Sequence, residues 1–233
     1  MGRHANTLRR MQNRVTRLVK GFGHYVDVFD QAKLFTGPSL YFHFKTLDLL
    51  RHYASATQAL EDDEFFESMY ATLTAWGMHR MGSGGAKLVE LPELKESFRQ
   101  QAEQIRQVED LHIWEIEKQD ILKITRLLWD IIHGLRVGIG RTKIVAGSKA
   151  LHHLLPDLVP PIDRQYTIRF FYHHTTLNQG DEKAFNEIYP YHYKIAVSCR
   201  EEIRSRLGFG MNTSATKVID NAIVGYGLEH LKK

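Results

Sequence analysis

The sequence predicts an all-helical fold, and three observations carry that prediction. Apolar residues recur at helical spacing, as in Phe65, Met69, Leu73 and Trp76, and again in Leu94, Phe98, Ala102, Ile105 and Val108. Residues 121–132 hold the broadest apolar face, Ile121, Leu122, Ile124, Leu127, Leu128, Ile131 and Ile132, with Gly134 placed to stop the helix. Glycine and proline breaks then divide the chain into nine or ten helices, at Gly37-Pro38, Gly82 to Gly85, Pro156, Pro160-Pro161, Gly180, and Gly208 to Gly210. A compact multi-helix domain over 1–233 is the result, with lobes 1–110 and 111–233 as the alternative division.

The first helix has Leu8, Met11, Val15 and Leu18 on one side and arginines on the other. Its first twenty residues carry Arg3, Arg9, Arg10, Arg14, Arg17 and Lys20 without an acidic residue, a bias shared by targeting segments and by basic DNA-contacting arms. Pro92 suits the first turn of a helix that ends near Val108. The helix over 121–134 reads as the central core helix. Residues 137–145, with β-branched side chains, Gly138 and Gly140, are the only rival to helix and could form a short hairpin. The aromatic run Tyr189, Tyr191, Tyr193 precedes a helix of alternating charge, and Thr213 or Ser214 can cap a last helix over 216–230.

Composition narrows the function. The 31 Lys and Arg against 27 Asp and Glu leave a net charge of +4, which permits a nucleic-acid partner without requiring one. A single cysteine, Cys199, allows no internal disulfide framework, cysteine zinc cluster or cysteine-ligated iron–sulfur centre. A reducing cytoplasm is the natural setting, and no apolar run is long enough for a membrane span. The thirteen histidines include the pairs His152-His153 and His173-His174, but no His-x-x-x-His or His-Glu-x-x-His spacing occurs, so neither a metal nor a cofactor is expected.

The segment 136–169 carries the most chemistry. Gly138-Ile139-Gly140 can form a turn whose backbone N–H groups and following helix approach a phosphate, with Arg136 and Arg141 flanking it; the alternative is a plain interhelical loop. Lys143 and Lys149 lie beyond the turn. A lysine amine becomes nucleophilic when desolvation or a nearby cation lowers its pKa, and it can then form a Schiff base with a sugar carbon. Asp163, behind Pro160-Pro161, follows Lys143 by twenty residues and Lys149 by fourteen, and it can cap the helix starting at Arg164. Lys149 in Gly147-Ser148-Lys149 is slightly favoured, against the alternative of an ammonium paired with Asp163 or Asp157. Trp76 with His79 and Arg80 could form the wall of a pocket for an extruded base, or Trp76 could be core.

Glycine turn, lysine, Pro-x-Asp and helical background together resemble the helix-hairpin-helix DNA glycosylase superfamily, over about thirty residues. The resemblance implies hairpin roles for Gly138 and Gly140, a Schiff-base role for Lys149 or Lys143, a carboxylate role for Asp163, and DNA as the partner, with Arg164 among the backbone contacts. Family members place the lysine at the start of the hairpin's second helix, so Lys143 stands one residue late and Lys149 further on. No cysteine quartet lies beyond the motif, which excludes the iron–sulfur branch. Two other readings stand beside it. One is a non-enzymatic helical module binding nucleic acid or protein, with a structural Lys/Asp pair. The other is a small-molecule or nuclease-like enzyme using the histidines.

Overall fold

The computed structural model describes residues 3–78 and 87–231. His79, Arg80 and the glycines between Gly82 and Gly85 lie outside the described residues. Thirteen α-helices and one π-turn are described, in the order α1 (Arg3–Lys20), α2 (Phe22–Ala32), α3 (Pro38–Leu50), α4 (Ala56–Ala59), α5 (Asp63–Ala75), α6 (Leu91–Gln100), α7 (Ala102–Arg106), α8 (Ile121–Gly134) and α9 (Ile144–Leu154). The π-turn Arg164–Ile168 comes next, then α10 (Arg169–Tyr172), α11 (Asp181–Ser198), α12 (Arg200–Arg206) and α13 (Ala215–His230). The fold is all-α, and among the described residues no helix is long and apolar enough to cross a membrane.

Side-chain caps set several boundaries. Ser55, Asp62, Asp163 and Ser214 each accept a backbone N–H from the first turn of the helix they precede, satisfying donors that have no partner inside the helix. Pro38 and Pro92 open α3 and α6, where a missing N–H removes no helical bond. The helix expected from Pro92 to Val108 is broken at Gln101, whose backbone (φ −97°, ψ 2°) separates α6 from α7. The aromatic run around Tyr189 lies inside α11, with Pro190 in the helix interior. Tyr189 is buried and its hydroxyl donates to the Leu158 carbonyl (3.1 Å), so this ring packs in the core and presents no face to a base.

The central helix is α13, not α8. Every residue of α13 from Ala215 to Gly227 is buried, because α1, α2, α11, α12 and the π-turn surround it. The apolar face of α8 is wider than its neighbours cover, and Leu122 stays 60% exposed. One apolar core joins Met11, Phe66, Phe98, Leu128, Leu151, Phe185 and Ile219, drawing on both halves of the chain.

Two glycines set the spacing of these helices. At Gly147 a Cβ would stand 2.8 Å from Ile132 Cγ2, so α9 approaches α8 without a side chain between them. At Gly225 a Cβ would overlap the Tyr25 carbonyl of α2 and lie 3.3 Å from Phe29 N, both backbone groups that cannot swing aside. Gly225→Ala is therefore expected to destabilise the protein by about 3 kcal/mol through forced separation of α2 and α13. A lower urea midpoint at unchanged slope would register the loss; an unchanged midpoint would show that the pair can part freely.

Candidate lysine site

The connection between α8 and α9 is the glycine turn. Ile139 N–H donates to the Lys87 carbonyl (2.9 Å) and Val89 N–H to the Val137 carbonyl (3.1 Å), so Gly138 forms an antiparallel bridge with Leu88 and the short hairpin expected within 137–145 does not form. Ile139 projects into solvent at 69% exposure. The second helix starts at Ile144, three residues later than Arg141. Its first amides are already occupied: Asp181 Oδ2 accepts from Lys143 N–H (2.5 Å) and Ile144 N–H (3.2 Å). Among the described residues the amides of Gly140, Arg141 and Thr142 have no acceptor. Arg141 is exposed beside them, and Arg164 reaches back to donate to Thr142 Oγ1 (3.2 Å). Arg136 lies exposed at the start of the turn, 3.4 Å from Glu93.

The two lysines part company here. Lys143 turns back into the hairpin, where its Nζ donates to the Leu135 carbonyl (3.0 Å). Lys149 points the other way, toward Trp76 at the end of α5, with its Nζ 6.0 Å from the ring centre. No carboxylate oxygen lies within 4.0 Å of that ammonium among the described residues, and it makes no hydrogen bond there. Asp163 and Asp157, its partners in the alternative reading, are committed to helix starts. Asp163 Oδ1 accepts from Tyr166 N–H (2.8 Å) and Oδ2 from the Thr167 hydroxyl (3.3 Å), while Asp157 Oδ1 accepts from Ala215 N–H (2.8 Å). The Lys149 amine titrates below the ordinary lysine range. Burial drives it down, Asp163 and Asp220 pull it up without hydrogen-bonding it, and Lys217 adds repulsion.

Trp76 closes this site against a ring cluster. Its indole N–H donates to the Ser39 carbonyl (3.2 Å), and its ring lies 5.8 Å from Phe35, 5.1 Å from His43 and 4.8 Å from His153. The buried histidines are held neutral by desolvation: His153 falls to about 4, and His43 and His152 are pushed well below the ordinary imidazole range. Their hydrogens can be placed by elimination. His153 Nδ1 must donate to the Lys149 carbonyl (2.8 Å), so His153 Nε2 accepts from His43 Nδ1–H (3.1 Å), and His43 Nε2 accepts from the Thr213 hydroxyl (3.0 Å). This one-way chain ties α3, α9 and the loop before α13 together beneath the lysine.

Three residues of α13 complete the floor, and reading the sequence did not single them out. Lys217 is fully buried, donating to Asp220 Oδ2 (2.7 Å) and Asn221 Oδ1 (2.5 Å), with its ammonium 5.2 Å from the ring centre of Phe29, 5.1 Å from Phe35 and 6.0 Å from Trp76. Asn221 Nδ2 donates onward to Asn212 Oδ1 (2.9 Å) and the Met211 carbonyl (3.1 Å). The signal was present as charge at i and i+3 and an amide at i+4 in a stretch otherwise lined by Val218, Ile219, Ala222 and Ile223.

Comparison with protein-family models, curated proteins and solved structures finds no match to this chain. The reading of the site therefore rests on its own geometry. An ammonium with no hydrogen-bonding partner, partly desolvated and facing an indole, is costly to keep and chemically poised. The open amides at Gly140 to Thr142, with Arg141 and Arg164 beside them, form a second polar feature suited to an anion.

Proposed function

We propose that this protein acts on DNA as a lysine-dependent base-excision enzyme, with Lys149 as the nucleophile. The observation that carries the reading is the partly buried Lys149 amine, which has no hydrogen-bond or ion-pair partner among the described residues, faces Trp76 and lies in the field of Asp163 and Asp220. In this reading the amine lone pair attacks the sugar carbon that bears the base. The bond to the base breaks and the base leaves with that bond's electron pair, taking a proton from water; the amine passes a proton to the ring oxygen as the sugar's carbon–oxygen bond opens, leaving a protonated Schiff base. Asp163, anchored at the head of the π-turn, supplies negative charge toward the positive charge that develops on the sugar. Trp76 offers a flat wall for the extruded base. Lys143, committed to the Leu135 carbonyl, serves the hairpin. Arg141, Arg164 and the amides of Gly140 to Thr142 support a phosphate contact at the turn.

The test is borohydride trapping on duplexes that carry oxidised, deaminated or alkylated bases. A covalent protein–DNA adduct is expected, absent in Lys149→Ala and retained in Lys143→Ala. Loss in Lys143→Ala alone would move the nucleophile to the hairpin. Binding with neither adduct nor released base would replace the enzyme with a nucleic-acid-binding module.

A further inference from the structure

The arginines of α1 take no part in the lysine site, and the tertiary structure gives them a definite setting. Arg10, Arg14 and Arg17 recur at i, i+4 and i+7, so they form one stripe along the helix. The apolar side of the same helix lies in the core, where Met11, Val15 and Leu18 are fully buried. Arg14 fixes where the stripe lies. Its guanidinium donates to the Phe170 carbonyl (2.6 Å) and the Phe171 carbonyl (3.0 Å), at the C-terminal end of α10 where helical amide partners run out. The chain then turns at His173, which holds the left-handed conformation (φ 70°), and both His173 and His174 are exposed. Arg10 and Arg17, about one turn to either side of Arg14, are exposed as well.

Two features separate this seam from an ordinary solvated face. Neither residues 1–20 nor residues 164–174 contain Asp or Glu, so both segments that meet at the seam are basic and acid-free. Exposed arginines elsewhere stand beside carboxylates: Arg51, Arg106, Arg136 and Arg204 each have one within 3.4 Å. Glu187, which borders α10 from α11, is engaged by the Tyr172 hydroxyl (2.7 Å). The second feature is continuity. Arg164, exposed at the head of the π-turn and bonded to Thr142 of the glycine turn, belongs to the acid-free segment that runs on into α10. Like charges gathered in this way repel one another, a cost that a polyanion relieves. Arg10 and Arg17 stand about 10 Å apart along the helix axis, a spread that fits a row of phosphates better than one bound ion. With its apolar side buried, α1 has no face left to enter a bilayer. We propose that the seam of α1 and α10 is a second contact with duplex DNA, in which Arg10 and Arg17, with His173 and His174 beside them, meet backbone phosphates of the duplex that the glycine turn also touches. The inference rests on the proposed function for its partner, DNA, and not for its chemistry.

Fluorescence anisotropy of an undamaged, labelled DNA duplex, titrated with the full-length protein from about 50 to 200 mM salt, reads the contact without any excision. The double variant Arg10→Gln with Arg17→Gln is expected to bind about tenfold or more weakly at low salt. Its plot of log affinity against log salt is expected to be shallower by about 2, because each phosphate contact releases close to one counterion. Arg51→Gln with Arg106→Gln removes the same net charge at the ends of α3 and α7 and is expected to leave the slope unchanged. An unchanged slope in the α1 variant, an equal loss in the α3 and α7 pair, or no binding of the wild-type protein to the duplex overturns the proposal. So does tighter binding to duplex RNA or to phosphatidylserine vesicles than to duplex DNA. Should the double variant unfold earlier than wild type, the single variants decide, each with an expected change in slope of about 1. A shallower slope with no trapped adduct on any damaged duplex supports the interface and rejects base excision. Trapping by an α1 variant whose slope matches wild type keeps base excision and overturns the interface.

Discussion

Lys149→Met is expected to abolish the borohydride-trapped adduct and, at the same time, to make the fold more stable by about 1 kcal/mol. The two effects have one cause. The Lys149 ammonium is drawn partly out of water with no hydrogen bond or ion pair in return among the described residues, so the folded state bears a cost that an unbranched apolar side chain of similar length does not. Methionine keeps the contact with Trp76 and removes the charge. Urea unfolding at neutral pH, compared between the two proteins, gives the sign directly. A variant less stable than wild type would mean that the attraction of Asp163 and Asp220 outweighs desolvation, and Lys149 would then be a structural cation. Lys143→Met provides the contrast: it removes the bond to the Leu135 carbonyl that closes the hairpin, and is expected to destabilise by about 1 kcal/mol.

Acid is expected to unfold this protein over the range in which ordinary histidines titrate. His153 and His192 are fully buried, and desolvation lowers each from the usual 6.5 to about 4; His43 and His152 are also lowered well below 6.5. For a group whose folded pKa is depressed, the stabilisation is complete above the unfolded value and is lost as the pH falls toward the folded one. Between pH 6.5 and about 4 the unfolded chain takes up protons that the folded chain refuses, so stability falls with pH. His153 and His192 together account for about 3 kcal/mol per pH unit in that window, and His43 and His152 add to it. Against a typical domain stability of roughly 5–15 kcal/mol, this brings unfolding to about pH 5. Asp220 and Asp30, raised by burial, work in the opposite direction and offset part of the loss. Far-ultraviolet circular dichroism from pH 7 to 4 tracks the transition, and His192→Gln should flatten its slope. A signal unchanged down to pH 5 would show that the imidazoles gain water or a partner on protonation.

Much of the fold was legible in the chain itself. Met11, Val15 and Leu18 on α1, and Phe65, Met69 and Leu73 on α5, fell on buried faces as their spacing predicts. Ser214 caps α13 and Asp163 caps the π-turn, each marked by a short polar side chain just ahead of a helical stretch. The choice of central helix was not legible. The apolar run of α8 is the more conspicuous, but α13 carries enough small and apolar residues, including Gly225 and Gly227, to be enclosed on every side.

The sequence by itself determined the all-helical class, several helix breaks and caps, the lack of a cysteine framework, and the short roster of Lys143, Lys149 and Asp163. These depend on hydrogen bonds and apolar repeats that span only a few residues, so they are written locally. Tertiary structure alone separated the two lysines, committed Asp157 to the start of α13, placed Asp181 at the head of α9, and brought Lys217 and Asp220 beneath Trp76. The state of an amine is set by how much water it keeps and which charges reach it. At Lys149 the segment 136–169 supplies Asp163, but Asp220, Lys217 and Trp76 reach it from parts of the chain that no spacing within that segment contains.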